Sequence, residues 1–579
     1  MPAGDPFLPD GSVIPITRVT TDPTSGTSTD NPAIALNTIS GWLDGSMVYG
    51  SSDAVAASLR LPDGHLATSA GGNLPIVNGQ FLAGDVRASE NPSLTALQTL
   101  FLREHNYQVD YLKANDPTLS AEQLYQKARA IVTAEIAHIT YDEFLPHLLG
   151  SELPTYQGYD STVDARISVE FAGAAYRFGH SLVSDETDKV DEYGRVVGTV
   201  STLQDAFFQP PADFIANSGA DGMLRHLGTD PSQAMDVRIV DDLRNFLVEQ
   251  GGAIDLASLN IARGRDLGLG TLNETRTALG LDPYTDFDQI TTDTATGAAL
   301  REVYASVDDI DLWTGGLAEG HLDGAFIGPT FAKIIGDQFT ALRDGDRFWY
   351  ENQGFDAETL AAIDATSLSD IILRNTDTKN IQDDMFVFYE RRDATVAAEH
   401  PDGPQLLMGT SKGQSLIGGT QDDILVANAA KQTLTGLAGA DQFVIETAAL
   451  TKGQVQTKAC APGKGLGLTI KDFQVGIDTV KLDGTSITNF DDLVPVRTKR
   501  SCRHTDRQVP SRPSGRACGR FDVGGFRVRL TRGSLPLRCP LGQRNGSART
   551  STATPVSCVP RSRPSRSDAC CGCCRADSR

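Results

Sequence analysis

From residue 91 to about residue 400, apolar side chains recur every three to four positions and extended alternating runs are scarce. That spacing makes helices with one buried face, so it predicts a mainly α body with short connections, in which a cofactor would sit between facing helices. Two helix starts are explicit. Asn91-Pro92 supplies a capping side chain and then a residue whose missing N–H costs nothing at the first helical position, and Leu94, Leu97, Leu100, Phe101 and Leu112 follow on one stripe. Ser120-Ala-Glu-Gln123 reads as a capping box that opens a long helix through Ile131, Ile136 and Ile139. A second apolar helix is expected from Ile167 towards Phe178.

At 579 residues and 40% hydrophobic, the chain can bury a large core with appendages. Its net charge of −23 argues against nucleic acid and anionic membrane as partners and suits a protein that binds cations. The average hides a break. Residues 497–579 carry 19 Lys+Arg against 4 Asp+Glu, leaving 32 against 70 for residues 1–496. Cysteine divides the same way: none precedes Cys460, and the other eight follow residue 500. From 501 onward there is no Ile, Met, Tyr, Trp, Glu or Lys, a composition that does not build a core. We expect 497–579 to be an out-of-frame translation or a disordered tail; its CCGCC run lacks a regular zinc spacing. No basic and apolar leader opens the chain and no 18 apolar residues run together, so neither an amino-terminal signal peptide nor a membrane span is expected.

The stretch FLAGDVRASENPSLTALQTLFLREHN, 81–106, places Asp85, Arg87, Glu90, Arg103, Glu104 and His105 around the start of a helix that otherwise reads as buried. Taken alone, Arg87-x-x-Glu90 is more often a solvated turn with a local ion pair than a site. Of nine histidines, His65, His226, His321 and His400 lie in Gly- or Asp-rich loops, His504 in the tail, and His138 and His147 on the long helix; His105 in LREHN and His180 in YRFGHSL remain, and spacing leaves both open as structural residue or ligand.

Seven segments decide between them: FLAGDVRASE (81–90), LREHN (102–106), IVTAEIAHITYDEFLPHLLG (131–150), YRFGHSL (176–182), DLASLNIARGRDLGLG (255–270), LRDGDRFWYENQG (342–354) and ILRNT (372–376). In order and spacing, from about residue 34 to 392, they resemble the animal-type haem peroxidases, the family of myeloperoxidase and its bacterial relatives. The resemblance implies that family's fold, a haem b cofactor, and reduction of hydrogen peroxide with oxidation of a halide or organic donor. It implies His180 as the axial haem ligand, Asn375 as the acceptor of its Nδ1–H, and a structural role for His105. It makes Arg87 the catalytic arginine that stabilises charge on the leaving peroxide oxygen, and Glu90 the carboxylate able to esterify a haem methyl. Arg177 would meet the proximal side or a propionate. Asn91 stands where some relatives carry a methionine, so a sulfonium link is excluded. SGWLDGSMVYGSS (40–52) resembles the family's calcium loop, with Ser40 and Ser46 hydroxyls, the Trp42 carbonyl and the Asp44 carboxylate as hard oxygen ligands. In the family a distal histidine lies well upstream of that loop. Only 39 residues precede Ser40, none of them histidine, so the distal histidine is expected to be missing and activity impaired.

Beyond residue 400, GGTQDDILV (418–426) and GLAGADQFV (436–444) resemble RTX nonapeptide repeats, in which Asp423 and Asp441 would take the calcium position of a parallel β-roll. The expected organisation is thus a haem peroxidase domain over 1–400, an RTX-like β segment over 401–496 and the tail. It suggests a bacterial protein exported by a carboxy-terminal type I route. Three other readings stay open: a fatty-acid dioxygenase of the same superfamily, which would normally carry tyrosine at the position of Arg177; a haem-binding pseudoenzyme; and a non-enzymatic calcium-binding surface protein.

Overall fold

The computed structural model describes residues 18–245, 247–249, 252–446, 468–474, 476–483, 519–523 and 526–530. Both helix starts form as the sequence predicts. Asn91 accepts the Leu94 N–H at 2.9 Å and opens the helix Pro92–Asn115. Ser120 and Gln123 cap one another reciprocally at the head of Ala121–His138. This second helix is apolar on two sides. Val132, Ile136 and Ile139 join a cluster with Tyr49, Leu100, Phe214 and Ile371, whereas Ala134 and Ala137 face a second cluster with Phe171, Phe331, Phe339 and Trp349. Burial on both sides is what places it at the centre of the body.

The helix continues past His138 as a π-helical turn, Ile139–Phe144, and then as Leu145–Leu149. Gly150 ends it at φ 71°, where a Cβ would press on the Asp323 carbonyl and the Ala325 amide. The continuous helix expected from Ile167 to Phe178 is instead three short pieces: Val169–Gly173, a 3-10 turn at Ala175–Arg177, and Gly179–Leu182. Gly173 and Gly179 flank the break at Ala174, and glycine weakens a helix interior. The break sets His180 on its own short turn.

After the helical body the chain winds into a parallel solenoid. One sheet orders Glu390–Asp393, Gln405–Met408, Ile424–Ala427, Gln442–Glu446 and Thr479–Asp483, all parallel. The facing sheet pairs Ser415–Ile417, Thr433–Thr435, Leu468–Ile470 and Phe526–Leu530 in parallel, with Gly519–Val523 antiparallel at its edge. Leu407, Leu416, Leu425, Leu434 and Phe443 fill the space between them. The alternate positions Leu406, Met408, Val426 and Val444 pack on Tyr193 and Tyr389 of the helical body. Its first strand starts at Glu390, ahead of residue 400.

Two stretches of the tail expected to lack structure are strands. Their sequence explains it: FDV and FRVRL alternate apolar and charged residues around Gly524-Gly525, a hairpin pattern inside an otherwise coreless composition. The rest of the tail, CCGCC included, and the first 17 residues lie outside the described residues. Among the described residues no helix is long and apolar enough to cross a membrane.

Candidate active site

His180 lies on the short turn Gly179–Leu182, and its Nδ1 is 2.7 Å from the amide nitrogen of Asn260. Asn260 is fully buried on the helix Leu256–Asp266, whose start is capped by Asp255. The other amide atom, Oδ1, is buried without a partner. Exchanging the two amide atoms, which are interchangeable in shape, lets His180 Nδ1–H donate to Asn260 Oδ1. That leaves Nε2 with a free lone pair, the tautomer an axial ligand needs. Burial, with the cations of Arg177 and Arg263 close by, pushes the His180 pKa down to about 4, so the ring is neutral over the physiological range.

The two arginines are themselves half-buried. Arg177 donates Nε–H to the Ala172 carbonyl at 2.9 Å, and burial beside Arg263 lowers its pKa to about 10. Burial also lowers that of Arg263. Neither has an ion pair among the described residues. A neutral histidine between two uncompensated cations fits a metal-centred ligand bearing carboxylates, as haem does.

The expected Asn375–His180 contact is not made. Asn375 spends its amide hydrogens on the Glu104 carboxylate at 2.5 Å and the Ile371 carbonyl at 2.9 Å. The reason is the charge buried there. Glu104 is fully enclosed and also accepts from Arg374 Nε at 2.7 Å, while Arg374 Nη2 reaches Glu135 at 2.8 Å. So ILRNT serves a buried ionic cluster, and Asn260 in LNIAR takes the place beside the histidine. Its signal was in the sequence: Asn260 and Arg263, three apart on a capped helix, present one face. His105 is structural as expected, with Nδ1 3.0 Å from the Tyr49 hydroxyl and Nε2 3.0 Å from the Gly64 carbonyl.

Arg87 and Glu90 sit in the turn before Pro92–Asn115. Asp85 grips Arg87 through Nε at 2.9 Å, Nη2 at 2.6 Å and the backbone N–H at 2.8 Å. Those bonds lower the Asp85 pKa and raise that of Arg87, which keeps its charge although 60% of its side chain is exposed. Burial raises the Glu90 pKa against the opposing charge of Arg87. Asp85 N–H donates to the Met47 carbonyl at 3.2 Å, and a Cβ on Gly84 would run into the Ser46 carbonyl. The turn therefore rests directly on the 40–52 loop. There Asp44 collects the Ser40 hydroxyl at 2.8 Å and the Ser46 N–H at 2.9 Å, and the Trp42 N–H donates to Ser40 Oγ at 3.2 Å. Burial raises the pKa of Asp346, and the nearby Asp44 charge adds to it. No group of three or more His, Cys, Asp or Glu forms a metal cluster among the described residues.

In the solenoid, Asp423 accepts from Gln405 N at 2.8 Å and Gly419 N at 2.5 Å, and Asp441 accepts from Asp423 N at 3.1 Å. Asp478 repeats the bond one rung on, accepting from Asp441 N at 3.2 Å. Burial raises the Asp423 pKa, and burial together with the carboxylates of Asp423, Asp478 and Asp472 raises that of Asp441 to about 7.

The profile described as animal haem peroxidase matches residues 1–386. The chain belongs to the animal haem peroxidase family. It is 36% identical over 337 residues to peroxinectin A of Dictyostelium discoideum, covering 55% of this chain and 62% of that protein. To thyroid peroxidase of Sus scrofa it is 37% identical over 396 residues, covering 61% and 43%. The chain thus spans between two-fifths and just over three-fifths of these relatives. Peroxidase A from Dictyostelium discoideum superposes with a TM-score of 0.57 at 32% identity, over 64% of this chain and 76% of that one. A fatty acid alpha-dioxygenase of Oryza sativa, at 23% identity and a TM-score of 0.53 over 57% and 63%, shares the fold.

Proposed function

We propose that this haem peroxidase family member holds haem b through His180 and uses hydrogen peroxide to oxidise a halide or an organic donor. The observation that carries the reading is the His180 environment: Nδ1 held by Asn260, burial that favours the neutral ring, and Arg177 and Arg263 without ion pairs among the described residues. Haem, when bound, supplies the redox centre at which peroxide delivers its two oxidising equivalents. Arg177 and Arg263 neutralise its carboxylates. Arg87, permanently protonated, stabilises negative charge on the departing peroxide oxygen, and Asp85 orients it. Glu90 is the carboxyl offered for an ester to a haem methyl. Ser40, the Trp42 carbonyl, Asp44 and Ser46 hold Ca²⁺ against the back of the Arg87 turn. Asp423 and Asp441 hold Ca²⁺ in an RTX-type solenoid, and the acidic charge with that solenoid supports export of a bacterial protein by a carboxy-terminal route. Arg177, where a dioxygenase of the superfamily would normally carry tyrosine, favours peroxidase chemistry.

The test is haem titration followed by absorbance. Wild type should bind one haem per chain; His180→Ala should lose stoichiometric binding, while His105→Ala should lower stability and leave occupancy. Equal occupancy in wild type and His180→Ala overturns the reading.

A further inference from the structure

One string of aromatic rings leads away from the His180 turn and ends at the surface. Tyr176 lies four residues before His180, in the preceding 3-10 turn, is 40% exposed, and stacks on Phe171 with ring centres 4.5 Å apart. It also meets Phe339 at 5.5 Å, and Phe339 meets Tyr141 at 5.7 Å. Tyr141 meets Trp349 at 4.8 Å, and Trp349 meets Tyr156 at 6.0 Å. A packed core alone accounts for rings in contact. It does not account for how their polar atoms are placed. Tyr141 is buried with its hydroxyl donating to the Phe339 carbonyl, which takes no proton, so this ring passes charge only transiently. Trp349 is 5% exposed, yet its Nε1–H donates at 3.0 Å to the carboxylate of Glu351, an exposed residue able to accept that proton. Tyr156 is half-buried beside it, and its phenol oxygen accepts from the Asn352 amide. Exposed Phe348 lies next to Trp349 in sequence and offers apolar surface.

We propose that Tyr176, Tyr141, Trp349 and Tyr156 carry oxidising equivalents from the haem to a second, surface oxidation site, where phenolic donors too bulky for the haem cleft are oxidised at Tyr156. The proposal rests on the haem peroxidase reading above. With haem bound and oxidised by peroxide, Tyr176 and Tyr141 would pass one electron inward while keeping their phenolic protons, so that the oxidising equivalent settles on Trp349, whose indole proton moves to Glu351. Trp349 then takes an electron from Tyr156 and its proton back from Glu351, and Tyr156 releases its phenolic proton to water. The donor phenol returns a hydrogen atom to Tyr156 and leaves as a phenoxyl radical. Two such rounds balance one peroxide: hydrogen peroxide and two phenols yield two waters and two phenoxyl radicals.

The experiment uses the full chain loaded with haem and two donors, a free phenol and the same phenol grafted to a high-molecular-weight dextran. In Trp349→Phe and in Tyr156→Phe the ratio of grafted to free oxidation rates should fall at least tenfold. Tyr156→Phe keeps its ring and guards against a variant that merely misfolds. Independently of turnover, peroxide with a spin trap and no donor should leave adducts on Trp349 or Tyr156 by peptide mass mapping, and Tyr141→Leu should abolish them. Free-phenol oxidation in wild type with no adduct on either residue and no change in ratio overturns the relay alone. Because slow turnover is expected of this chain, only a wild type that oxidises neither donor even on long incubation with excess peroxide overturns the peroxidase reading and the relay with it.

Discussion

In the helical body the buried carboxylates of Glu104, Glu135 and Glu319 meet guanidinium groups, whereas in the solenoid those of Asp423, Asp441 and Asp478 meet one another. In the body, Glu319 accepts from Arg276 at 2.6 Å, and Glu104 and Glu135 share Arg374. Across the solenoid rungs, Asp423, Asp441 and Asp478 stack in line, each satisfied by backbone N–H groups rather than by a cation. The body thus fixes its charges as it folds, whereas the solenoid leaves like charges to be relieved by a proton or a metal ion. The body's stability should depend on its arginines, and the solenoid's on pH and divalent ions.

The largest effect belongs to the body. Arg374→Met leaves Glu104 and Glu135 enclosed with one cation fewer, and breaking such a buried pair costs about 3–5 kcal/mol. Burial beside Glu104 already pushes the Glu135 pKa well up, and one of its oxygens has no partner. The loss should therefore be greatest near neutral pH and shrink in acid, where the pair takes up a proton. Urea unfolding at pH 5 and pH 8 reads it; equal losses at both would show that the pair is not ionised in the wild type.

The solenoid should behave in the opposite sense. The Asp441 pKa rises from 3.8 to about 7 on folding, so between those values the folded state binds more protons than the unfolded one. Stability then falls as pH rises through that window, and the loss is complete above it. Asp441→Asn should flatten this dependence and raise solenoid stability at pH 8 on the order of 1–3 kcal/mol. Calcium at pH 8 should stabilise wild type more than the variant. Thermal unfolding followed by circular dichroism, with and without chelator, checks both; a wild-type solenoid that gains stability from pH 4 to 7 would contradict the stacked-charge account.

These two regions also differ in what their sequences reveal. Caps and helical spacing locate the Pro92–Asn115 and Ala121–His138 helices, because both are local. The Asp-bearing repeats foretell parallel strands, because the rung is a local unit repeated. Partners across the fold are less visible. Asn260 and Asn375 lie 80 and 195 positions from His180, and both sit in segments that resemble the family, so spacing along the chain does not say which helix end packs on the histidine. At the break at Ala174 the weakening by Gly173 is local, whereas the packing of Leu269 against that glycine is not visible along the chain. The strands at Gly519–Val523 and Phe526–Leu530 hide in a composition that reads as coreless when averaged over the tail.

The smallest effect is also the sharpest test of the site, since it sets the two asparagines against each other. Asn260 meets His180 Nδ1, so Asn260→Ala should free the ring to turn and to change tautomer, weakening haem binding about 10- to 100-fold, the usual consequence of removing a partner of a metal-ligating histidine. Asn375 donates instead to Glu104 and the Ile371 carbonyl, so Asn375→Ala should cost about 1–2 kcal/mol of body stability by leaving that carboxylate one donor short, with haem affinity within a factor of two or so. Aspartate separates the positions further. At 260 it offers His180 an acceptor oxygen and should largely preserve haem binding, with a stronger axial ligand. At 375 it sets a second carboxylate against buried Glu104 and should destabilise more than alanine does. Haem titration and urea unfolding of the four variants give the answer: loss of haem affinity in Asn375→Ala with none in Asn260→Ala would return the histidine's partner to the ILRNT helix and show that the Asn260 contact does not persist once haem is bound.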